Sequence, residues 1–224
     1  MRSGISNQAA SLEFSNQAEH AEAAAYLRGV SDILAELPVA EIEIVIDRLF
    51  SAYQQGRTVY LFGNGGSAAL ASHAACDLGK GTMVAGKRPF RVVSLCDNIP
   101  LMTAWANDSS YDDIFSAQLR PLLEPRDIAF AISGSGNSPN VLNALRHSKE
   151  LGGVNLGLTG CGGGKMKPLC DTCIIVPSGQ MQQIEDSHVC VMHAVFFGFR
   201  RRLQNENRSR AASAGNYGIP TRDL

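Results

Sequence analysis

Residues 58–67, TVYLFGNGGS, decide the fold because they join a short apolar strand to a glycine-rich turn. An apolar run with β-branched residues is typical of a strand buried on both faces of a parallel sheet. Gly63, Gly65 and Gly66 permit a tight turn and a close approach of a ligand to the backbone. The stretch therefore predicts a strand, a loop able to bind an anion through its N–H groups, and a helix from Ser67.

The same pattern of strand, loop and helix continues along the chain. Helices are predicted from Ser67, around 100–106, from Pro139 and after the last strand. Further strands are predicted at FRVVSLC (90–96), DIAFAIS (127–133), VNLGLTG (154–160) and CIIVPS (173–178). This alternation indicates an α/β fold whose parallel sheet is covered by helices on both faces. Ligands of such sheets bind beyond the carboxyl ends of the strands.

Two further helices precede the first strand. Apolar residues at helical spacing predict one helix from Asn16 to Leu37, which Pro38 ends, and a second from about Val39 to Gln55. Because these helices connect no strands, their apolar faces must pack against the rest of the domain or a second chain. Charged residues make up only 18% of the chain, which leaves little charge to cover a monomer. Both features favour an oligomer.

The predicted domain limits follow from the loss of helical periodicity after Leu203. Residues 204–224 contain few large apolar side chains, which predicts a flexible C-terminal tail. A single domain is expected over 16–203, preceded by an N-terminal segment, 1–15. A chain of 224 residues is within reach of one large α/β domain of this kind.

Composition argues against several classes of function. The chain has 20 basic and 21 acidic residues, so nucleic-acid binding by a strongly basic face has little support. No apolar run reaches the roughly 20 residues of a membrane span, and the N-terminus lacks a secretory apolar core. The six cysteines are scattered, which favours reduced thiols. A cytoplasmic protein with neither membrane nor nucleic-acid partners is expected.

A second polar loop, SGSGNS at 133–138, also follows a predicted strand. Pro139 suits the first position of a helix, which makes Ser138 the expected N-cap. Serine hydroxyls, N–H groups and the helix dipole can bind phosphate without an arginine. A tight turn with Ser67 as a helix cap explains the first loop alone equally well, but the two loops together favour a phosphoryl ligand. Neither has the Gly-Lys-Ser/Thr ending of a nucleotide-binding P-loop, so a sugar phosphate is expected, with no nucleotide or organic cofactor.

Ionisable residues cluster on two predicted helices. His73 and Asp77 lie four residues apart, hence on one helix face, where they can share a metal or a substrate. Glu185 and His193 lie eight residues apart, which separates them by about 80° in direction and about 12 Å along a helix. They reach one ligand more easily from two subunits than from one. The alternative for each histidine is a half-buried, hydrogen-bonded helical residue.

Taken together, these motifs resemble the sugar isomerase (SIS) domain, and specifically its phosphoheptose isomerase branch. The resemblance runs in order over about residues 10–203. The segments that carry it are GNGGS (63–67), Asp97, Asn107-Asp108, Tyr111, SGSGNSPN (133–140), LTG (158–160), GGKM (163–166) and IEDSH (184–188). It implies a three-layer, doubly wound, flavodoxin-like sheet of five parallel strands with two N-terminal helices. Family members interconvert sedoheptulose 7-phosphate and D-glycero-D-manno-heptose 7-phosphate, form homotetramers with sites at subunit interfaces, and in some cases bind zinc.

The resemblance also implies roles for individual residues. The phosphate-binding positions are Ser67, Ser133, Ser135 and Ser138, with Asn64 near the sugar. The other substrate-binding positions are Gly65, Gly66, Asp97, Asn137, Gln182 and Glu185. The implied zinc ligands are His73, Asp77, Glu185 and His193, of which Asp77 and His193 are also the implied catalytic pair.

Three of these positions depart from the family pattern. Asp77 stands where the family has its catalytic glutamate, Glu185 stands where it has a glutamine, and Gln182 replaces a polar, usually acidic residue. A carboxylate is kept at Asp77, one methylene shorter, and Glu185 adds a negative charge to the implied metal site. The substrate is therefore less closely defined than the fold.

Isomerisation of a ketose to an aldose passes through an enediol and needs a base near carbon and an acid near oxygen. Asp77 as base and His193 as acid meet that need. The main rival is a non-catalytic SIS protein that keeps the phosphate loops as a binding module, and the carboxylate and imidazole argue against it. Isomerisation of another sugar phosphate is the second alternative. A sugar-phosphate-sensing regulator is disfavoured because no DNA-binding helix pair is appended.

Overall fold

The computed structural model describes residues 6–215, and describes side chains over 21–206. The strands are β1 (Thr58–Gly63), β2 (Arg91–Ser94), β3 (Ile128–Ser133), β4 (Val154–Thr159) and β5 (Thr172–Ile175). The helices are α1 (Ser6–Ala35), α2 (Val39–Gln55), α3 (Gly66–Cys76), α4 (Ile99–Asp108), α5 (Ser116–Leu119), α6 (Pro139–Glu150) and α7 (Met181–Gly215). Single turns of other helix types lie at Asp77–Gly81, Tyr111–Asp113, Cys161–Gly163 and Lys167–Leu169.

The five strands form one parallel sheet in the order β2-β1-β3-β4-β5. This is the doubly wound, flavodoxin-like order that the resemblance implies, so the predicted fold class is confirmed. Strand order reverses beside β1, and Gly63 of β1 pairs with Ile132 of β3. That register places the loops after β1 and β3 side by side at the carboxyl edge of the sheet.

Apolar side chains form a core on each face of the sheet. One core joins the sheet to α2, α3 and α7. The other joins it to α5 and α6. The three layers follow from strands that are apolar on both faces: all six residues of β1 and of β3 are buried.

The two helices before the sheet pack against their own chain. Residues Val39–Gln55 form α2 as predicted, and Gly56 ends it in a left-handed conformation with its N–H on the carbonyls of Ala52 and Tyr53. Ile46 of α2 lies so close to α7 that a Cβ at Gly198 would come within 2.6 Å of its Cδ1. In α1, the Tyr26 hydroxyl donates to Asp186 of α7 at 2.6 Å.

The limits of the first and last helices differ from the prediction. Helix α1 begins at Ser6, ten residues before the predicted start, and ends at Ala35, two residues before the predicted end. Helix α7 runs on to Gly215, through most of the segment expected to be a tail. Lys87 forms an ion pair with Glu206 in this extension. The rest of the predicted tail, 216–224, and the first five residues lie outside the described part of the chain.

The short helix α5 was not predicted, because four residues are too few to show a helical period. Within the described residues, none of the helices combines the length and apolar character needed to cross a membrane.

Candidate active site

The first loop, Gly63–Ser67, makes a tight connection from β1 to α3. A Cβ at Gly63 would lie 2.5 Å from the carbonyl oxygen of Ile132, and Gly65 has a positive φ of 54°. Both positions therefore require glycine. Gly65 rather than Ser67 is the N-cap, so α3 begins at Gly66, one residue earlier than predicted. Ser67 lies in the first turn of α3 with its side chain largely buried.

The second loop, Ser133–Ser138, is braced by a third loop, residues 160–166. The carbonyl of Gly134 accepts from the N–H of Gly160 at 3.0 Å, and that of Gly136 accepts from the N–H of Met166 at 2.9 Å. Asn137, expected to bind substrate, accepts from the N–H of Lys165 through its side chain at 3.1 Å. In this structure Asn137 therefore holds the two loops together.

Two serine hydroxyls of the second loop meet at the N-terminus of α6. Ser133 Oγ and Ser138 Oγ are 3.5 Å apart, and the Ser135 hydroxyl accepts from the N–H of Asn137 at 3.2 Å. Ser138 occupies the N-cap position as predicted, but its side chain makes no capping hydrogen bond. Its hydroxyl faces Ser133 instead. Two hydroxyls beside a helix N-terminus form a suitable site for a phosphate dianion.

Asn64, predicted to lie near the sugar, connects the first loop to α6. The side-chain amides of Asn64 and Asn140 exchange two hydrogen bonds of 2.9 Å, and the Tyr111 hydroxyl donates to Asn64 Oδ1 at 3.0 Å. Asn140 is 1% exposed. Sequence reasoning gave Asn140 no role, because nothing local signals a partner 76 residues away. The network fixes the distance between the two loops.

Asp97 follows β2 and lies beside α3. Ser72 donates its hydroxyl to Asp97 Oδ1 and is also 3.3 Å from the Ser94 hydroxyl. Asp97 lines an open groove of about 700 Å³ between α3, β2 and the start of α4.

His73 of α3 and Asp77, which directly follows α3, meet His193 of α7 in one chain. The two histidine Nε2 atoms are 2.9 Å apart. Asp77 Oδ2 lies 3.4 Å from His73 Nε2 and 3.8 Å from His193 Nε2. Asp77 begins a single turn of π-helix, a feature that often occurs at functional sites. The side chains of His73 and His193 are about half exposed, so a ligand can reach them.

The geometry of this triad fits a zinc ion. In a tetrahedral zinc site, donor atoms at about 2.0 to 2.1 Å from the metal lie about 3.3 Å from one another. The three distances between donor atoms in the triad, 2.9, 3.4 and 3.8 Å, lie on either side of that value. Two imidazole nitrogens and one carboxylate oxygen are also donors that zinc favours. The triad has three protein donors and therefore leaves a coordination position free.

The structure separates the other predicted residues of α7 from this triad. Glu185 is not among the donors that cluster in one chain. Its carboxylate instead lies beside the first loop, where Oε2 would be 3.1 Å from a Cβ at Gly66. Gln182 is exposed on the first turn of α7. A role for Glu185 at the triad therefore needs a second subunit, whereas Asp77 and His193 meet within one.

His188 is a further residue of this region to which sequence reasoning gave no role. It is 1% exposed, and burial lowers the pKa of its imidazole to about 4, although a hydrogen bond to the carbonyl of Thr159 opposes the shift. Among the described residues, its Nε2 has no hydrogen-bond partner. Together with Gly66, Ser67 and Glu185 it lines a cavity of about 200 Å³. From sequence alone, a single histidine on an apolar helix face resembles an ordinary core residue.

Comparisons with known proteins agree with this arrangement. Residues 25–160 match the family model described as the SIS domain. The chain is 43% identical to phosphoheptose isomerase of Rhodospirillum rubrum over 143 residues, which are 64% of this chain and 76% of that protein. It is 34% identical to the probable phosphoheptose isomerase of Thermoplasma acidophilum over 174 residues, 78% of this chain and 95% of that protein.

A solved structure shows the same fold. The phosphoheptose isomerase of Neisseria gonorrhoeae superposes with a TM-score of 0.70 at 28% identity, over 84% of this chain and 98% of that one. The sheet order, the paired polar loops and these similarities lead to one conclusion: the chain belongs to the SIS domain family, in its phosphoheptose isomerase branch.

Proposed function

We propose that this chain interconverts sedoheptulose 7-phosphate and D-glycero-D-manno-heptose 7-phosphate through an enediol. The observation that carries the proposal is the contact of Asp77 with His193 in a molecule whose two serine-rich loops meet at the carboxyl edge of the sheet. The names of the relatives support the same reaction.

The loops bind the phosphate end of the substrate. Ser133, Ser135 and Ser138 donate hydroxyls, and the N-termini of α3 and α6 add partial positive charge. Ser67 contributes from the first turn of α3. Asn64, Asn140 and Tyr111 fix the two loops relative to each other. Substrate binding therefore needs little further ordering of these loops, which lowers its entropic cost.

Asp77 and His193 move the protons. The Asp77 carboxylate removes a proton from C1 of the ketose as the carbonyl at C2 becomes an enediol hydroxyl. It then returns a proton to C2, and the aldehyde forms at C1. His193 donates a proton to the oxygen of C2 as the enediol forms and takes the proton of the C1 hydroxyl as the aldehyde forms, so its imidazole ends in the protonation state in which it began. The net change moves two hydrogens and consumes no cofactor.

The metal proposal concerns the same triad. His73, Asp77 and His193 would hold a zinc ion, and Glu185 of a neighbouring subunit would supply the fourth protein donor. When bound, zinc supplies a Lewis acid that polarises the substrate oxygens. A carboxylate that binds a metal is a weaker base, so Asp77 acts either chiefly as ligand or chiefly as base.

The assembly that we propose is a homotetramer with active sites at subunit interfaces, working in the cytoplasm. The position of Glu185, away from the triad of its own chain, supports a shared site. Val189, His193 and Phe197 lie along one stripe of α7 at four-residue spacing, and Phe197 is 65% exposed. An aromatic side chain this exposed beside a catalytic residue suits a surface that another subunit covers.

The test is incubation of the purified protein with sedoheptulose 7-phosphate, with the aldose product detected by NMR. Formation of D-glycero-D-manno-heptose 7-phosphate is the expected result, and Asp77→Asn is the matched inactive control. A panel of other ketose phosphates is run in parallel because Asp77, Glu185 and Gln182 depart from the family pattern. Turnover of another member of the panel in place of the heptulose would overturn the substrate assignment, and turnover of none would favour a binding module.

A further inference from the structure

His188 is a buried polar residue that the proposed proton transfers do not use. It lies on α7, one turn after Glu185, and is one of the residues that line the cavity of about 200 Å³ beside the first loop. Gly66 and Ser67 form the wall on the side of the loop, and Glu185 and Asp186 lie on the side of α7. A ligand seated on the Ser67 hydroxyl can therefore extend toward this imidazole.

The hydrogen bonding of His188 fixes the chemical character of its free nitrogen. Thr159 offers a carbonyl oxygen, so the ring nitrogen bonded to it carries the proton. Since Nε2 is without a partner among the described residues, the bonded nitrogen is Nδ1. A neutral imidazole protonated at Nδ1 has a lone pair at Nε2, so Nε2 is an acceptor. A buried acceptor with no partner is costly, at about 1–3 kcal/mol, so a ligand that donates a hydrogen bond there gains affinity.

The other polar groups of the cavity indicate which part of a ligand fits. The carboxylates of Glu185 and Asp186 are acceptors, like Nε2. Three acceptors on the α7 side disfavour a phosphate dianion there and suit hydroxyl groups, each of which donates one hydrogen bond, whereas Ser67 and the N-terminus of α3 on the opposite wall offer donors. The serine-rich loop next to it has the opposite preference, because it offers donors. The two regions together match a molecule with a phosphate at one end and a polyol chain.

We propose that His188 is a substrate-binding residue whose Nε2 accepts a hydrogen bond from a hydroxyl group of the sugar-phosphate polyol chain. This inference rests on the proposed function, because it requires a polyhydroxylated phosphate ester as the ligand. It assigns His188 a role in affinity and in selection among sugars, and leaves the proton transfers to Asp77 and His193.

Two variants separate this role from a structural one. His188→Asn keeps a donor for the carbonyl of Thr159 but removes the acceptor at the position of Nε2. His188→Gln does the reverse, because its longer amide reaches the position of Nε2 and leaves Thr159 without its partner. For a neutral hydrogen bond the KM of sedoheptulose 7-phosphate should rise about 2- to 13-fold in His188→Asn, with kcat nearly unchanged. The rise should be smaller in His188→Gln.

The opposite order of the two variants would overturn the proposal. If His188 only anchors α7 to Thr159, His188→Gln is the more damaging change and His188→Asn leaves KM at the wild-type value. Wild-type turnover of sedoheptulose 7-phosphate is measured alongside. If the wild type binds this sugar phosphate without isomerising it, the proposed function is wrong. The role of His188 is then tested by comparing the dissociation constants of the wild type and the two variants.

A direct measurement on the wild type guards against variants that do not fold. Protein labelled with ¹⁵N-histidine contains five histidines, and His188→Gln identifies the signal of His188 where that variant is folded. Where it is not, the Nδ1-protonated pattern of a buried neutral ring identifies the signal. Binding of sedoheptulose 7-phosphate should move the Nε2 resonance upfield, as expected for a nitrogen that accepts a hydrogen bond. Sulfate, which has no hydroxyl to donate, should not move it. An Nε2 resonance that stays in place at saturating sugar phosphate would show that no substrate hydroxyl reaches His188.

Discussion

At the residue scale, Asp77 has the most roles in the proposed function, as a base and as a zinc ligand. Its carboxylate is within 4 Å of two imidazoles that come from different helices, and one of them is 116 residues away in sequence. The side chain is partly exposed and contributes little packing. Function and stability at this position should therefore respond differently to substitution.

Asp77→Asn should lower kcat by about 10² to 10⁴, because an amide cannot act as a general base. The melting temperature should stay within a few degrees of the wild type, as measured by calorimetry. Asp77→Glu restores the residue of the family and should keep measurable activity. Full activity of Asp77→Asn would remove Asp77 from the mechanism.

His188 predicts a dependence of stability on pH. Its folded pKa of about 4 lies below the ordinary value of 6.5, so between these two values the unfolded chain binds a proton that the folded chain does not. The free energy of unfolding should therefore fall as pH decreases from about 6.5 toward about 4. Between pH 7 and pH 5 the contribution of His188 is roughly 2 kcal/mol.

Urea unfolding of the wild type and of His188→Gln at both pH values checks this. The variant has no titrating group at position 188, so the wild type should lose more stability than the variant on going to pH 5. Equal losses in the two proteins would show that His188 does not titrate in this window.

At the scale of elements, the second loop depends on the third loop for its shape. Gly136 has a positive φ of 62°, and a Cβ there would lie 2.4 Å from the carbonyl oxygen of Gly163. Both obstacles are in the backbone, so a side-chain rotation cannot relieve them. The position of the serines proposed to bind phosphate thus depends on two loops that are separated by more than 20 residues.

Gly136→Ala should destabilise the protein by more than about 2 kcal/mol and raise the KM of the sugar phosphate, because the second loop must move. Gly179→Ala is the matched control, since a Cβ there meets nothing within 4 Å. It should change stability by less than about 0.5 kcal/mol. Thermal unfolding and steady-state kinetics of both variants test the difference, and similar behaviour of the two would contradict it.

At the scale of the whole molecule, the exposed stripe of α7 predicts the assembly. Phe197→Asp places a charge on the proposed subunit contact and should convert the tetramer to smaller species with loss of activity. Leu122→Asp is the control, since Leu122 is also an exposed apolar residue but lies beside α5, on the opposite face of the sheet. Analytical ultracentrifugation measures both. A wild type that sediments as a 24.0 kDa monomer would rule out the tetramer.

Mixed assemblies test whether Glu185 acts on the triad of another chain. Glu185→Ala and His193→Ala subunits, each impaired alone, should regain activity when they are unfolded and refolded together, because some sites then receive both intact residues. Variants of Asp77 and of His193 would not serve as the two partners in this test. The structure joins both residues in the triad of one chain, so every mixed site would still lack one of them. No recovery in verified mixed tetramers would contradict the shared site.

Much of the fold could be predicted from local sequence. Short β-branched runs identify β1 to β5, and Pro38 with Gly56 limits α2 at the residues observed. The glycines and serines of the two loops predict which edge of the sheet carries the proposed site. These features are local because strand burial, helix periodicity and turn formation depend on residues within a few positions of one another.

The tertiary structure decided the features that involve distant residues. The extent of α7 beyond Leu203 was missed because a polar helix has no apolar stripe, although Lys87 pairs with it at Glu206. The packing of α6 and α7 against the loops determines the two hydrogen bonds between Asn64 and Asn140 and the burial of His188. The sequence by itself determined the elements and the kinds of donor and acceptor on each. Only packing decided which of them meet, because contacts between distant residues depend on the positions of whole helices and strands.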